Sequence, residues 1–279
     1  MQLSHTAGPF ISPPFPNFQA YPIGVVPKKH SSDWRTIFHL SYPKHHSTSV
    51  NAHISPSDYS LHYITVDNAI SIIQKLGQGC FMSKLNIKSA FCNIPVHPAD
   101  WELCLYYFDS VLPFGLRSAP YVFDQFFCML GWVIKTKLGV PNVIHILDDL
   151  FFVTKPPRSV VCFTALCNIL CLFTELDIPV APGKTFPPTT SLEFMGVLLD
   201  SNKMEARLPL DKLTRTKEAL HEWSSNKSAT LKELQSLIDT LQFACRVVVP
   251  GRAFLQRIIS LTRGISNSRW HIKLNTEFR

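Results

Sequence analysis

The stretch His145-Ile146-Leu147-Asp148-Asp149-Leu150-Phe151-Phe152 sets two adjacent carboxylates between two apolar runs. Adjacent Asp residues interrupt a strand and favour a tight turn, whereas the flanking runs are typical of buried strands. The pattern predicts a hairpin with strands at 142–147 and 150–154 and with Asp148 and Asp149 together at its tip. Carboxylate oxygens suit Mg²⁺, which keeps waters and substrate phosphates as its other ligands. The stretch is therefore compatible with two-metal phosphoryl transfer, although two adjacent Asp residues alone more commonly form an ordinary polar turn, and the neighbouring segments have to decide.

Length and composition indicate a folded protein. The chain has 279 residues, of which 46% are hydrophobic, so it can bury a large core. The apolar run at 160–173 is shorter than the ~20 residues that cross a bilayer, and it predicts a buried helix. No Lys or Arg lies within the first 20 residues to form the basic end of a secretion signal. We expect an intracellular protein, cytoplasmic or nuclear, with no membrane partner.

Charge is distributed unevenly along the chain. Residues 1–202 contain 13 Lys and Arg against 13 Asp and Glu, whereas residues 203–279 contain 14 against 7. The whole excess of +7 therefore lies in the last third. A basic, helix-rich region beside a neutral body favours a phosphate-backbone partner, although such a charge run is often only a solvated surface.

The eight cysteines do not form a disulfide or zinc pattern. They lie inside apolar segments instead of at paired short spacings, which predicts buried free thiols. The pair His45-His46 lies in a Pro- and Ser-containing loop, where a solvated surface is expected. The sequence therefore assigns no zinc site.

Periodicity predicts a mixed α/β body followed by helices. Alternating runs at 21–27 and 34–40 predict a hairpin, and a strand at 192–200 is predicted to pair with 204–208. Helical periods occur at 69–76 and 158–176, and another helix begins with Ser118 as N-cap and Pro120 in its first turn. Its core stripe is predicted to contain Val122, Phe123, Phe126, Phe127 and Leu130. Helices resume after Pro209, one of them opened by the capping box Thr230 to Glu233.

An ordered set of motifs resembles the reverse transcriptases of retroelements, most closely those of DIRS-type elements, which use a tyrosine recombinase. The resemblance covers the chain from about Tyr21 to its last residue. The motifs, in the family's order, are Gly24-Val25-Val26-Pro27-Lys28-Lys29 with Trp34-Arg35, then 85–91, 112–120, 146–149, Gly183-Lys184 and Phe194-Met195-Gly196. Each motif is weak alone, and the order makes the set specific.

The resemblance implies an α+β right-hand polymerase fold: fingers, a palm with an antiparallel sheet packed on helices, and a helical thumb. It divides the chain into an extended arm (1–20), fingers and palm (21–208), and a thumb or connection region (209–279). It also implies an RNA-directed DNA polymerase that uses Mg²⁺ or Mn²⁺, an RNA or DNA template with a primer, and deoxynucleoside triphosphates. The ribonuclease H domain often associated with this family is not expected within these residues.

Site residues follow from the same resemblance. Asp148 and Asp149 would bind metal, and Lys184 would donate a proton to the leaving pyrophosphate. Phe91 would be the steric gate against ribose, with an ordinary core Phe as the alternative. The substrate-binding residues would be Lys28, Arg35, Phe91, Phe114 and Gly115, and the primer grip would be Phe194, Met195 and Gly196.

Two departures from the family predict impaired catalysis. Asn86 stands where the family has a metal-binding Asp, and an amide offers one neutral oxygen in place of an anionic carboxylate. The segment 96–112 is also shorter than in relatives, which predicts a shortened palm sheet with an exposed edge. The leading hypothesis is a catalytically impaired polymerase domain. The alternatives are a non-catalytic nucleic-acid-binding remnant and a relic with no selected role.

Overall fold

The computed structural model describes residues 11, 21–27, 34–43, 48–97, 111–265, 267 and 270–274. The chain divides into two compact units, the first containing 1–72 and 81–189 and the second containing 73–80 and 190–279. The division at residue 209 implied by the polymerase resemblance is a functional boundary, and it stays a prediction.

A four-stranded antiparallel sheet is the centre of the first unit. Its strands are β3 (Phe81–Asn86), β4 (Val143–Ile146), β5 (Asp149–Thr154) and β6 (Phe186–Thr189), in the spatial order β4-β5-β3-β6. The predicted hairpin at Asp148-Asp149 is thereby confirmed as β4 and β5. Strand β5 is buried from Leu150 to Val153, because it is flanked by a strand on each side and covered by helices.

Two helices, α2 (Ala119–Thr136) and α3 (Ser159–Glu175), supply much of this unit's core. Phe123, Phe127 and Leu130 are fully buried, as predicted, but Val122 is 36% exposed. Ser118 occupies the N-cap position of α2, yet its side chain makes no capping hydrogen bond. Helix α3 is buried along one face only. The prediction of a buried helix is correct for that face and wrong for the opposite one, since Val160 and Phe163 are exposed.

The predicted N-terminal hairpin is confirmed. Strands β1 (Ile23–Pro27) and β2 (Trp34–Phe38) pair antiparallel with Gly24 opposite Ile37. Helix α1 (Val66–Leu76) follows and is succeeded by Gly77 at φ 93°, a conformation that glycine adopts readily at a helix C-terminus. Among the helices that the structure describes, none is long and apolar enough to cross a bilayer.

In the second unit, a three-stranded meander precedes the helices. It contains β7 (Ser191–Phe194), β8 (Val197–Asp200) and β9 (Glu205–Arg207). The prediction of one strand over 192–200 is wrong, because Met195 and Gly196 have positive φ angles of 50° and 79° and form a tight turn. Met195 and Gly196 thus reverse the chain inside a run whose hydrophobicity is continuous.

Helices and a small sheet complete the second unit. They are α4 (Leu210–Ser224), β10 (Ser228–Thr230), α5 (Leu231–Ala244), α6 (Gly251–Leu261) and β11 (His271–Lys273), with β10 paired to β11. The predicted capping box is confirmed: the Glu233 amide donates to Thr230 Oγ1, and the Thr230 amide donates to Glu233 Oε2. The helix-rich prediction for this region is correct.

A buried asparagine that the sequence analysis did not single out holds three loops of the first unit together. Asn51, 5% exposed, donates through Nδ2 to Ser41 Oγ at 2.8 Å and to the Gly115 carbonyl at 2.9 Å. Its Oδ1 accepts from the Arg117 amide at 2.8 Å. This cross-link holds the turn before α2 against the segment that follows β2.

We predict that Asn51→Ala lowers the free energy of unfolding by about 2–3 kcal/mol, because three polar partners lose their hydrogen bonds together. Chemical denaturation monitored by circular dichroism measures the change. The control is Gln235→Ala on the exposed face of α5, which should change the free energy by less than ~0.5 kcal/mol. Equal effects of the two substitutions would contradict the role given to Asn51.

Candidate active site

The two carboxylates of the hairpin occupy different positions. Leu147 and Asp148 form its two-residue turn, whereas Asp149 is the first residue of β5, opposite Ile146. The prediction that both Asp residues lie at the tip is therefore wrong. Leu147 has φ 47°, an uncommon and strained conformation for a bulky residue, and such strain is often found at functional sites.

Strand pairing brings Asn86 to the same place. Asn86 is the last residue of β3 and lies directly opposite Asp149 in the antiparallel ladder. Its side-chain Nδ2 donates two hydrogen bonds, one to Asp148 Oδ2 and one to Asp149 Oδ1, each at 2.9 Å. Since Asn86 is only 4% exposed, this amide is a buried bridge between two acidic side chains.

The bridge offsets an unfavourable concentration of negative charge. Burial raises the pKa of Asp149, and the neighbouring charge of Asp148 raises it further, whereas the hydrogen bond from Asn86 lowers it. Lys84 and Lys184 also lower the pKa of Asp149 through their positive charge. Lys84 extends from β3, where its Nζ lies 4.8 Å from the centre of the Phe186 ring.

Backbone hydrogen bonds fix the end of β3 on both sides. The Ile87 amide donates to the Asp148 carbonyl at 2.9 Å, and the Ala181 amide donates to the Asn86 carbonyl at 2.8 Å. Residues 182–184 form a short 3₁₀ helix after this contact, with Lys184 exposed at its end. The structure thus brings Asn86, Asp148 and Asp149 together and places Lys184 within electrostatic reach.

An aromatic cluster lies next along the chain. Phe91, on the short 3₁₀ helix Ala90–Asn93, has its ring centre 4.9 Å from that of Phe114 and 5.5 Å from that of Phe123. Phe91 is partly buried and packs on the core, so core packing and a surface facing a nucleotide are both compatible with its position. The chain carries glycine at 115, where φ is 113° and a Cβ would clash with the Phe38 carbonyl oxygen.

The predicted primer grip is the β7–β8 turn of the second unit. Phe194 is fully buried, and Met195 and Gly196 form the turn. Lys212 of α4 donates through Nζ to Glu193 Oε1 at 2.8 Å and to the Gly196 carbonyl at 3.0 Å. The sequence analysis did not identify Lys212 as the residue that anchors this turn, because it lies sixteen positions further along the chain.

Several predicted features lie in residues outside the described part of the chain. Lys28, the pair His45-His46 and the segment 98–110 are not among the described residues, and for Arg35 only the backbone in β2, paired with Val26, is described. The shortened palm therefore stays a prediction. On either side of that segment, Pro95 and Val111 form an antiparallel bridge, and the Leu112 amide donates to the Ile94 carbonyl at 2.9 Å.

The cysteines only partly match their prediction. The seven within the described residues form no disulfide, and Cys80, Cys162 and Cys245 are buried. Cys128 and Cys171 are exposed, so the prediction of uniform burial is wrong. Both lie on helices with one buried face, where an apolar segment still presents residues to solvent.

Comparison with known proteins yields distant relatives. No family model matches the sequence. The Gag-Pro-Pol polyprotein of Human T-cell leukemia virus 3 (strain 2026ND) is 22% identical over 166 residues, which cover 60% of this chain and 11% of the polyprotein. The enzymatic polyprotein of Cestrum yellow leaf curling virus is 23% identical over 206 residues, covering 70% of this chain and 29% of that protein. The chain thus spans less than a third of either relative.

Solved structures are similar over nearly the whole chain. The foamy viral protease-reverse transcriptase dRH in complex with double-stranded DNA has a TM-score of 0.70 at 19% identity, covering 92% of this chain and 41% of that one. The foamy viral protease-reverse transcriptase in complex with an RNA/DNA hybrid has a TM-score of 0.65 at 18% identity, covering 92% and 31%.

The fold is that of a nucleic-acid polymerase of the right-hand type, with antiparallel sheets packed on helices. More particularly, the fold is similar to that of the foamy viral protease-reverse transcriptases, which are 18–19% identical to this chain. The predicted α+β polymerase fold is confirmed. The closer likeness to DIRS-type elements stays a prediction.

We predict that Asp149→Asn makes the protein more stable at neutral pH. Because the folded-state pKa of Asp149 is raised, folding favours its protonated form, and that contribution to stability is lost as pH rises through the raised pKa. An amide at this position is neutral at every pH and still offers an oxygen to Asn86. Thermal melts should show an advantage for Asp149→Asn that grows with pH and vanishes below about pH 4.

The exposed Asp239 of α5, replaced by Asn, serves as the control for this measurement. A parent protein that is more stable than Asp149→Asn at pH 7 and equally stable at pH 4 would show that the carboxylate is favourable in the folded state. That result would overturn the electrostatic account of the site.

A second prediction concerns Asn86→Asp. The substitution removes both bridging hydrogen bonds and adds a third buried carboxylate, so the metal-free protein should lose about 2–4 kcal/mol of stability. Millimolar Mg²⁺ should restore much of that loss in Asn86→Asp and stabilise the parent far less. Differential scanning fluorimetry with and without Mg²⁺ measures both effects, and an equal response to Mg²⁺ in the two proteins would refute the prediction.

Proposed function

We propose that this chain is the RNA-directed DNA polymerase domain of a retroelement polyprotein, most similar to DIRS-type elements, and that its catalysis is strongly impaired. Its substrates would be deoxynucleoside triphosphates and a primer on an RNA or DNA template, with Mg²⁺ or Mn²⁺ as the cofactor. The observation that carries the proposal is the buried Asn86 amide that bridges Asp148 and Asp149.

The donor set fits one divalent cation. Asp148 Oδ2 and Asp149 Oδ1 both lie 2.9 Å from a single point, Asn86 Nδ2, so one small cation could contact both oxygens after modest adjustment. A bound Mg²⁺ would supply charge neutralisation and orient phosphate oxygens. Asn86 would have to turn its amide, because its NH₂ group now faces both carboxylates and would repel a cation.

Impairment follows from charge. Two carboxylates and a neutral amide provide a formal charge of about −2, where three carboxylates would provide about −3, so a pair of divalent ions is held less strongly. The amide hydrogen bonds also satisfy the carboxylates without any ion. Each ~1.36 kcal/mol of lost transition-state stabilisation slows a reaction about tenfold, and we expect a loss of several orders of magnitude.

Other side chains would position the substrate. Lys28 and Arg35 would contact the triphosphate, and Phe91 would restrict the sugar from below, supported by Phe114. Lys184 is exposed and lowers the pKa of Asp149, which supports a position near the reacting phosphates and the proposed role as proton donor. Phe194, Met195 and Gly196 would contact the primer.

Primer extension on an RNA template with Mg²⁺ tests the proposal. We predict that the parent incorporates nucleotides at least ~10³-fold more slowly than Asn86→Asp, because the substitution restores the third carboxylate. Asp148→Ala should abolish the activity that Asn86→Asp gains. The double variant Asn86→Asp with Asp148→Ala controls for contaminating polymerases.

Each outcome separates two hypotheses. A parent that extends primers as fast as Asn86→Asp would overturn the claim of impairment and leave the polymerase assignment intact. If neither protein extends the primer although each is folded and binds primer-template, the polymerase function is excluded and a nucleic-acid-binding remnant is favoured.

The charge distribution favours the remnant as the second candidate. The excess of positive charge at 203–279 can contact phosphates whether or not the carboxylate site works. A fluorescence anisotropy titration with primer-template at several salt concentrations measures this property. Binding that weakens steeply with salt in Asp148→Ala as well as in the parent would show that binding and chemistry are separable.

A further inference from the structure

A second group of side chains of the types that bind metals lies in the first unit, apart from Asp148 and Asp149. Asp124 and Cys128 are four residues apart on α2 and therefore share one face of the helix. His145 of β4 lies against that face. His145 Nε2 lies 3.3 Å from Asp124 Oδ1 and 4.0 Å from Cys128 Sγ, and Cys128 Sγ lies 3.9 Å from Asp124 Oδ2.

These separations are close to those of a tetrahedral zinc site. Zinc bonds of about 2.0–2.2 Å to nitrogen and oxygen and about 2.3 Å to sulfur imply ligand separations of roughly 3.3–3.6 Å. The Asp124 to His145 distance already falls in that range. The two distances to Cys128 Sγ exceed it by a few tenths of an ångström. Because Asp124 faces His145 with Oδ1 and Cys128 with Oδ2, both Asp124 and Cys128 have to rotate to place three ligand atoms, all within 4.8 Å of one another, around one ion.

The types of ligand select the ion. A thiolate, an imidazole and a carboxylate together suit Zn²⁺ and related transition metals, whereas Mg²⁺ and Ca²⁺ prefer oxygen ligands alone. Cys128 is exposed, and the side chains of His145 and Asp124 are 17% and 20% exposed, so an ion can enter from solvent. A water molecule would complete the tetrahedron.

Protonation and packing are also compatible with a metal. Burial lowers the pKa of His145, which keeps the ring in the neutral form that binds metal, and the Phe127 ring supports it at 5.0 Å between centres. Burial and the charge of Asp124 raise the pKa of Cys128, so its thiolate needs a cation beside it. The positive charge of Lys135 acts on both residues and opposes an ion to some degree.

We propose that Asp124, Cys128 and His145 bind one zinc-class ion that links α2 to β4. His145 lies one residue before the end of β4, close to the turn that contains Asp148, so the ion stabilises the turn end of the carboxylate hairpin. This ion is separate from the Mg²⁺ of the proposed polymerase function, and the inference does not depend on that function. The sequence analysis assigned no zinc site because the ligands combine an i, i+4 helix pair with a histidine 17 residues away.

Cobalt spectroscopy of the metal-free protein tests the proposal. The structure predicts that one equivalent of Co²⁺ produces tetrahedral d–d bands and a thiolate charge-transfer band, and that Zn²⁺ removes them. A hundredfold excess of Mg²⁺ should leave the bands in place. The matched control is Cys171→Ser, which removes another exposed cysteine and should leave the spectrum unchanged.

Substitution of the proposed ligands, unlike Cys171→Ser, should change the Co²⁺ spectrum. Cys128→Ser should lose the charge-transfer band, and Asp124→Asn should weaken Co²⁺ binding at least tenfold. If a variant does not fold, the parent protein still tests the proposal. The proposal is wrong if the parent shows no thiolate band with Co²⁺, or if Mg²⁺ removes that band. A band that persists in folded Cys128→Ser overturns it as well.

Discussion

The antiparallel pairing of β3 with β5 is the constraint on which the arrangement of the first unit depends. Its register sets Asn86 opposite Asp149, at the point where both strands end and the hairpin turn begins. The interior of that ladder is buried from Leu150 to Val153 and is covered by apolar side chains of α2 and α3. Because consecutive residues of β5 are buried on opposite faces, a slip of one residue would exchange the side chains packed on the two faces, so the hydrophobic core holds the polar end of the sheet in register.

The polar end of the sheet brings two acidic side chains and one amide together in a partly buried site. Two carboxylates in a partly buried site repel each other, and burial raises the pKa of Asp149. A carboxylate at position 86 would require cations, whereas the Asn86 amide satisfies both acidic side chains with two hydrogen bonds. The amide at position 86 therefore stabilises the metal-free site, and the proposed impairment of metal-dependent chemistry follows from the same hydrogen bonds.

The second unit is organised by different interactions. Its meander turns at Met195 and Gly196, where Lys212 joins the Gly196 carbonyl and the Glu193 carboxylate to α4. Lys212 also lies 5.1 Å from the centre of the Phe243 ring of α5, and Arg246 approaches the same ring at the same distance. Some cationic side chains of this unit thus stabilise its structure through contacts within the unit. Its net positive charge, by contrast, favours a phosphate partner.

Local pattern by itself determined the elements of this protein: the β4–β5 hairpin, the β1–β2 hairpin, the capping box at Thr230, and the helix-rich character of residues after 209. Each depends on propensity and periodicity within a few residues, and the order of motifs predicted the polymerase fold. Only the tertiary structure decided that Asp149 lies in a strand, that Asn51 joins three loops, that Lys212 anchors a distant turn, and that Asp124, Cys128 and His145 meet. Those features depend on side chains far apart in the sequence, whose distances are set by strand register and helix packing and leave no local periodic signal.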